Sequence, residues 1–248
     1  MSVFAVVGGT GTVGRHVVAV LRNSGAEARV LSRRSSEHRV DLVSGVGLDS
    51  ALAGCDVVID VSNGSPRHPE RVTVDGMQRL TEAAARAGIG HLVCVSIVGI
   101  ERVPTRYYRA KLAQERVVRD GQVPWSIVRS TQFHELAAGA FETFARWRIS
   151  PRSDARVQPI AALEAGRVVA EAAHRPPSLQ TLTVAGPEVH DVSALARVWA
   201  EHHHRRGVPL RIPLTARVRR PLKAGALTCA APDIWGRIPF SAWLSTRI

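Results

Sequence analysis

The chain contains almost no lysine. Of 33 basic residues among 248, only Lys111 and Lys223 are lysines and the other 31 are arginines. Such a skew reads as a coding bias rather than a binding surface. It also makes each lysine conspicuous, because a compact ammonium is not interchangeable with a guanidinium. Cysteine is scarce too. Cys55, Cys94 and Cys229 lie far apart without metal-ligand spacing. The first two fall in or beside apolar strand-like runs and read as buried free thiols, in keeping with a reducing cytoplasm. No apolar run reaches the length of a membrane span, and the N-terminus opens on a strand with no basic leader, which argues against a membrane protein and a signal peptide. Tandem repeats and low-complexity tracts are absent. The net charge of +12 and pI near 11.2 raise the question of nucleic acid. The arginines are scattered, however, with no basic block interleaved with aromatics, so no nucleic-acid partner is expected. His202-His203-His204 is not expected to hold a metal, since adjacent helical residues point in different directions.

What is present begins at the first residues. Val3-Phe4-Ala5-Val6-Val7 is a short apolar run. Gly8-Gly9-Thr10-Gly11-Thr12-Val13-Gly14 follows, and Arg15 to Leu21 has helical apolar spacing. Strand, glycine loop and helix form the context that a dinucleotide-binding loop requires. One glycine turns the chain out of the strand, one admits backbone amides to a pyrophosphate, and one lets helix and sheet pack closely. The pyrophosphate would rest on the helix N-terminus, where unpaired N–H groups and the dipole favour an anion.

Asn23-Ser24-Gly25 closes the first helix, and Glu27 to Leu31 reads as a second strand ending at Ser32-Arg33-Arg34. In a dinucleotide fold the end of this strand faces the adenine ribose. No acid occurs between Glu27 and Glu37, so the 2′-hydroxyl of NAD(H) has no carboxylate there, whereas two arginines suit the 2′-phosphate of NADP(H). Val40 to Val43 is a third strand candidate whose Asp41 could reach the adenine amino group. Leu48 to Leu52 is a brief helix. Asp56 to Val61 is a fourth strand, with Ser62-Asn63-Gly64 at its C-terminal edge. Pro66 to Ala87 contains a long amphipathic helix, His91 to Ser96 a fifth strand and Val123 to Val128 a sixth. The alternation predicts a doubly wound parallel α/β sheet. Residues 1–155 read as the dinucleotide-binding core. Residues 156–248 add a helix at Leu163 to His174, a strand at Gln180 to Ala185, a helix at Ser193 to Arg206 and a small substrate-covering lobe; the two parts can form one continuous domain.

Tyr107-Tyr108-Arg109-Ala110-Lys111 is the second informative stretch. Pro104-Thr105 starts a helix on which Tyr107 and Lys111 share a face. A cation one turn away stabilises the phenolate and eases proton exchange near neutral pH, as carbonyl reduction requires. Tyr108 would take the place of Tyr107 if the helix were rotated. Ser96, at the end of the fifth strand, is placed to hydrogen-bond the same substrate oxygen.

Gly8 to Gly14, Ser96, Tyr107-x-x-x-Lys111 and Pro124-Trp125-Ser126-Ile127-Val128-Arg129 together resemble the atypical short-chain dehydrogenase/reductases, in their NmrA-like, NAD(P)H-binding branch. Gly186-Pro187-Glu188 has the look of that branch as well. The resemblance implies a Rossmann-like fold and NADP(H) binding by Gly8, Thr10, Gly11, Thr12, Val13, Gly14, Ser32, Arg33 and Arg34. It places Val61, Ser62 and Asn63 near the nicotinamide and Lys111 at its ribose. Thr131 would also touch the cofactor, and Gln132, Phe133 and His134 would line the substrate pocket. The implied activity is reduction of a small carbonyl, quinone or conjugated substrate, with Tyr107, Lys111 and Ser96 catalytic. One departure is visible: ten residues separate Ser96 from Tyr107, where better-known branches carry a longer insertion. A non-catalytic NADP(H)-binding regulator with a protein partner, and an epimerase or dehydratase of the same fold, therefore stay open, as does a homodimer.

Overall fold

The computed structural model describes residues 2–64 and 67–246. In chain order its elements are β1 (Val3–Val7), α1 (Gly14–Asn23), β2 (Glu27–Ser32), β3 (His38–Arg39), α2 (Leu48–Leu52), β4 (Val57–Asp60), α3 (Glu70–Thr73), α4 (Asp75–Arg86), β5 (His91–Ile97), α5 (Arg106–Asp120) and β6 (Trp125–Ser130). There follow α6 (His134–Arg146), β7 (Ile149–Arg152), β8 (Arg156–Val157), α7 (Ala162–His174), β9 (Thr181–Ala185), β10 (His190–Asp191), α8 (Val192–His202), β11 (Val208–Arg211), α9 (Ala216–Lys223), β12 (Ile234–Trp235) and α10 (Phe240–Ser245).

The main sheet runs β12-β9-β6-β5-β4-β1-β2-β3. β1 pairs in parallel with β2 on one side and β4 on the other, so the strand order reverses beside β1. The 3-2-1-4-5-6 order is that of a Rossmann-like α/β fold, and the reversal is where such sheets bind ligands, beyond the C-terminal strand ends. The central strands explain their position: β1 is apolar along its length and β4 is buried at every residue, as a sheet covered on both faces demands.

The chain divides into two compact units interleaved in sequence. The first comprises residues 1–96, 106–129 and 165–182, the second residues 97–105, 130–164 and 183–248. The sequence reading divides the chain instead at 155. In the first unit a core built on Val7, Leu31, Leu52, Val58, Leu80, Leu92 and Ile127 fills the space between the sheet and α2, α4 and α5. α7 completes this unit from far along the chain. A Cβ on its Gly166 would lie 2.8 Å from His16 Cβ on α1. Its His174 ring meets Phe4 of β1 edge-on at 4.9 Å, and its Nε2 lies 3.2 Å from Ser24 Oγ. In the second unit Phe141, Leu195, Trp199, Phe240 and Trp243 form a core of their own, while Trp147 stays exposed.

Two elements depart from expectation. The third strand is two residues long and sits at His38–Arg39 rather than 40–43. Asp41 opens a turn instead: its Oδ1 accepts the Val43 amide at 3.0 Å and its carbonyl accepts the Gly45 amide at 2.7 Å. The long helix expected from Pro66 to Ala87 is broken at Val74 (φ −108°, ψ −66°) into α3 and α4, with Thr73 Oγ1 bonding back to the Pro69 carbonyl at the break. Pro66, the first residue of the stretch expected to contain it, lies outside the described residues.

Candidate functional site

The glycine loop links β1 to α1, and its glycines divide the work. Gly8 takes φ +80°, and a Cβ on it would lie 2.9 Å from the Ser62 backbone, so glycine both makes the turn and lets the loop touch the end of β4. Gly14 lies so close to the Gly8 carbonyl and to Gly9 Cα that the first turn of α1 tolerates no side chain there. Gly11 is different. It is exposed, and a Cβ on it would meet only the Gly8 carbonyl, at 3.1 Å. The space beside it is open, which is the shape a phosphate cradle needs. α1 has no acid in its first turn and no side chain capping its N-terminus, so its positive end is uncompensated. Arg33 and Arg34 are exposed beyond β2, where the Arg34 amide donates to Ser32 Oγ at 3.2 Å. Among the described residues neither guanidinium is ion-paired. These features fit a dinucleotide. The Asp41 carboxylate holds the turn described above through Oδ1 alone.

At the C-terminal edge of β4, the Val61 amide donates to Val7 and the Ser62 amide to Asp60 Oδ1 at 3.0 Å. Asn63 follows, and Tyr107 Oη donates to its Oδ1 at 3.0 Å. The phenol is therefore held beside the part of β4 that touches the glycine loop. One turn further along α5, Lys111 is buried. Its Nζ donates to the Val95 carbonyl at 2.8 Å and, in a short bond, to Gln114 Oε1. Gln114 Nε2 in turn donates to Asp60 Oδ2 at 2.7 Å. Glu115, another turn along and fully buried, accepts from Arg129 at 2.8 Å through both oxygens and from Arg119 at 2.9 Å.

The electrostatics differ from the sequence expectation at Tyr107. Burial pushes its phenol above the ordinary tyrosine value, and the Asn63 bond offsets this only in part. Lys111 does not ease its ionisation, because the ammonium is turned to Val95 and Gln114. Tyr108 is pushed further, to about 12, by burial and by the neighbouring Tyr107. Burial also raises the Asp60 carboxyl, against the opposing charge of Lys111 and the bonds from Ser62 and Gln114. Glu115 ends below its ordinary value: burial pushes it up, but Arg129, Ser96 and Arg119 together pull it further down.

Ser96 lies near the end of β5. Its hydroxyl is buried beside Glu115, near enough to lower that carboxylate but without hydrogen-bond geometry to any partner among the described residues. Glu115 is eight residues beyond Tyr107 on α5, roughly 12 Å of helix rise. Among the described residues no hydrogen bond joins Ser96 to the phenol.

In the second unit, the expected pocket residues are largely occupied in holding the fold. Thr131 donates its amide to Val184 at 3.0 Å, and its Oγ1 accepts from Gly186 at 3.1 Å. Gln132 Nε2 donates to the Leu227 carbonyl at 3.0 Å while its Oε1 accepts from the Gln158 amide at 3.0 Å. Phe133 is half-buried at the start of α6 and bridges to Ile160. His134 is fully buried between Phe240 and Trp243, each 5.4 Å away ring to ring, and its Nε2 lies 2.9 Å from the Ile238 carbonyl. Burial lowers its pKa, which keeps the imidazole neutral. His134 thus packs among the core aromatics of the second unit.

A glycine loop at the reversal of a doubly wound sheet, with an open cradle and free arginines past β2, defines a Rossmann-type dinucleotide-binding protein. The chain belongs to the NAD(P)H-binding family, whose profile matches residues 8–176. It is 36% identical over 140 residues to the (4-alkanoyl-5-oxo-2,5-dihydrofuran-3-yl)methyl phosphate reductase of Streptomyces griseus, covering 52% of this chain and 47% of that protein. It is 31% identical over 166 residues to the ceramide reductase of Caulobacter vibrioides, covering 61% of this chain and 52% of that protein. The chain thus spans about half the length of the curated relatives it matches. Its fold is shared with the NADPH-dependent quinone oxidoreductase QOR2 of Escherichia coli complexed with NADPH (TM-score 0.79, 13% identity, 98% of this chain and 99% of that one). The family is one of reductase-like NAD(P)H-binding proteins, in agreement with the NmrA-like resemblance of the sequence.

Proposed function

We propose that this protein is an NADPH-dependent reductase of a small carbonyl, quinone or conjugated substrate. The observation that carries the reading is the Tyr107 phenol held on Asn63 at the edge of β4, with the Gly8 turn packed on the neighbouring Ser62. NADPH bound there supplies a hydride to an electrophilic carbon. The amides from Gly8 to Gly14 hold the pyrophosphate, with Thr10 and Thr12 flanking it and Val13 anchoring the turn in the core. Ser32, Arg33 and Arg34 hold the 2′-phosphate, and Lys111 directs its remaining N–H toward the nicotinamide ribose. Tyr107 is the acid: a phenol held above its ordinary value keeps its proton at neutral pH and has it ready for the substrate oxygen as charge develops there.

One observation favours a second reading, that of a non-catalytic NADP(H)-binding regulator: the Tyr107 hydroxyl has a protein partner already. A single experiment separates the two. Purified protein is given NADPH with a panel of quinones, aldehydes and enones, and oxidation is followed at the nicotinamide absorbance. The reductase reading requires turnover with at least one acceptor and its loss in Tyr107→Phe and in Lys111→Ala. Tight NADPH binding with no turnover on the panel, unchanged by Tyr107→Phe, favours the regulator.

A further inference from the structure

The bonds around Lys111 form a line across three elements. Asp60 ends β4 and is fully buried, opposite Cys94 of β5 in the parallel register. Its Oδ1 accepts the Ser62 amide and its Oδ2 accepts Gln114 Nε2 at 2.7 Å. A carboxylate oxygen facing the amide lets Gln114 present only its NH2 group on that side. The carbonyl oxygen of Gln114 must then face the other way, onto Lys111 Nζ. The ammonium has three donors. Gln114 takes one and the Val95 carbonyl takes a second, at 2.8 Å. One N–H remains, with its direction set by the other two. A buried ammonium also needs a compensating charge, and Asp60, one amide away, provides it.

We infer that Asp60 and Gln114 are positioning residues. Asp60 sets the orientation of the Gln114 amide, and Gln114 in turn aims the free N–H of Lys111 at the cofactor ribose. Protonating or removing the Asp60 carboxylate lets the amide turn over and point NH2 at an ammonium, which drives Lys111 out of place. The consequence for cofactor binding rests on the NADPH reading above; the aiming of Lys111 by its two partners does not.

The scarcity of lysine makes the test direct. Protein labelled with 15N at the lysine side chain gives two signals, assigned with Lys223→Arg. Lys223 is largely exposed at its side chain, so its ammonium protons exchange fast, whereas buried and bonded Lys111 exchanges slowly. In Asp60→Asn and in Gln114→Met the slow Lys111 signal is expected to move toward that of Lys223, and NADPH affinity, read by fluorescence titration, to fall about tenfold. The double variant Asp60→Asn/Gln114→Glu moves the carboxylate onto the neighbour of Lys111 and lets the new amide at position 60 donate to it. It should restore the signal and bring affinity back to within about threefold. Should Asp60→Asn not fold, Gln114→Asn, which keeps the amide but shortens its reach, gives the same reading. Folded single variants with an unchanged Lys111 signal, or a double variant worse than either single, overturn the inference. Failure of wild-type protein to bind NADPH overturns the cofactor reading alone, since the lysine signals still report on the aiming.

Discussion

Replacing Arg33 and Arg34 together by alanine separates the two nicotinamide dinucleotides. Both side chains are exposed past β2, and neither is ion-paired among the described residues. They hold nothing of the fold together, so stability should not change beyond the roughly 0.5 kcal/mol of ordinary surface substitutions. A hydrogen bond to a charged partner contributes about 1.5–3 kcal/mol. The arginines must be drawn from water to reach a phosphate, so the lower figure applies to each, roughly 3 kcal/mol for the pair. At 1.4 kcal/mol per tenfold, NADPH affinity should drop about 100-fold. NADH has no 2′-phosphate and should change less than about twofold. Fluorescence titration of both cofactors, with wild type and variant at low and high salt, reads the effect. At 1 M salt the Debye length shrinks to about 3 Å, so the wild-type preference for NADPH should narrow while that of the variant stays flat. Equal losses for both cofactors, or an unchanged preference, refute the reasoning.

Gly11→Val should leave the protein folded and abolish cofactor binding, because the open space beside Gly11 is the cradle; retained binding would give the loop another role. Gly14→Ala should instead destabilise the fold, read as a lower Tm, because its Cβ collides with the Gly8 carbonyl. Glu115→Ala strands two arginines and should cost about 3–5 kcal/mol, lowering Tm by about 10 °C at roughly 2–4 °C per kcal/mol for a chain of this size. Glu115 has a depressed folded-state pKa, so its contribution is full above the unfolded value of 4.5 and fades as pH falls through the lower folded one. Glu115→Gln should therefore flatten the acid limb of a stability–pH curve; an unchanged limb would mean the ion pairs are inert. The raised Tyr107 value predicts activity without an alkaline limb from phenol ionisation between about pH 7 and 9, and a pH–rate profile falling in that window would assign the proton to another group.

How much was legible in the sequence follows from how local each signal is. β1, the glycine loop and α1 are contiguous, and each glycine has a backbone reason that a sequence displays. β4 and β5 announce themselves as buried apolar runs. β3 did not, because one side chain, Asp41, bonds its own backbone and ends the strand that Val40 to Val43 suggested. The polar residues after β6 have partners that the sequence does not display. Gln132 and His134 look like pocket groups when only composition is seen, yet their partners, Leu227 and Ile238, lie about a hundred residues away. Separation in sequence likewise hid Asp60 and Gln114, 54 residues apart and joined only once α5 lies across β4 and β5. Ser96 shows another limit of motif order: its nearness to Glu115, nineteen residues further along the chain, is not visible in the motif.

The reliance of the cofactor helix on α7 has a consequence for synthesis. His174 meets Ser24 across 150 residues of chain. At about 5–20 residues per second, β1 and α1 are made on the order of 10 s before the helix that closes over them. During that interval the nascent chain has its phosphate loop but lacks the surface against which the loop's helix rests. A ribosome stalled near residue 155 would hold a first strand and helix open on one side, a natural substrate for a chaperone. The strand and helix that carry the phosphate loop are thus completed only long after they are made.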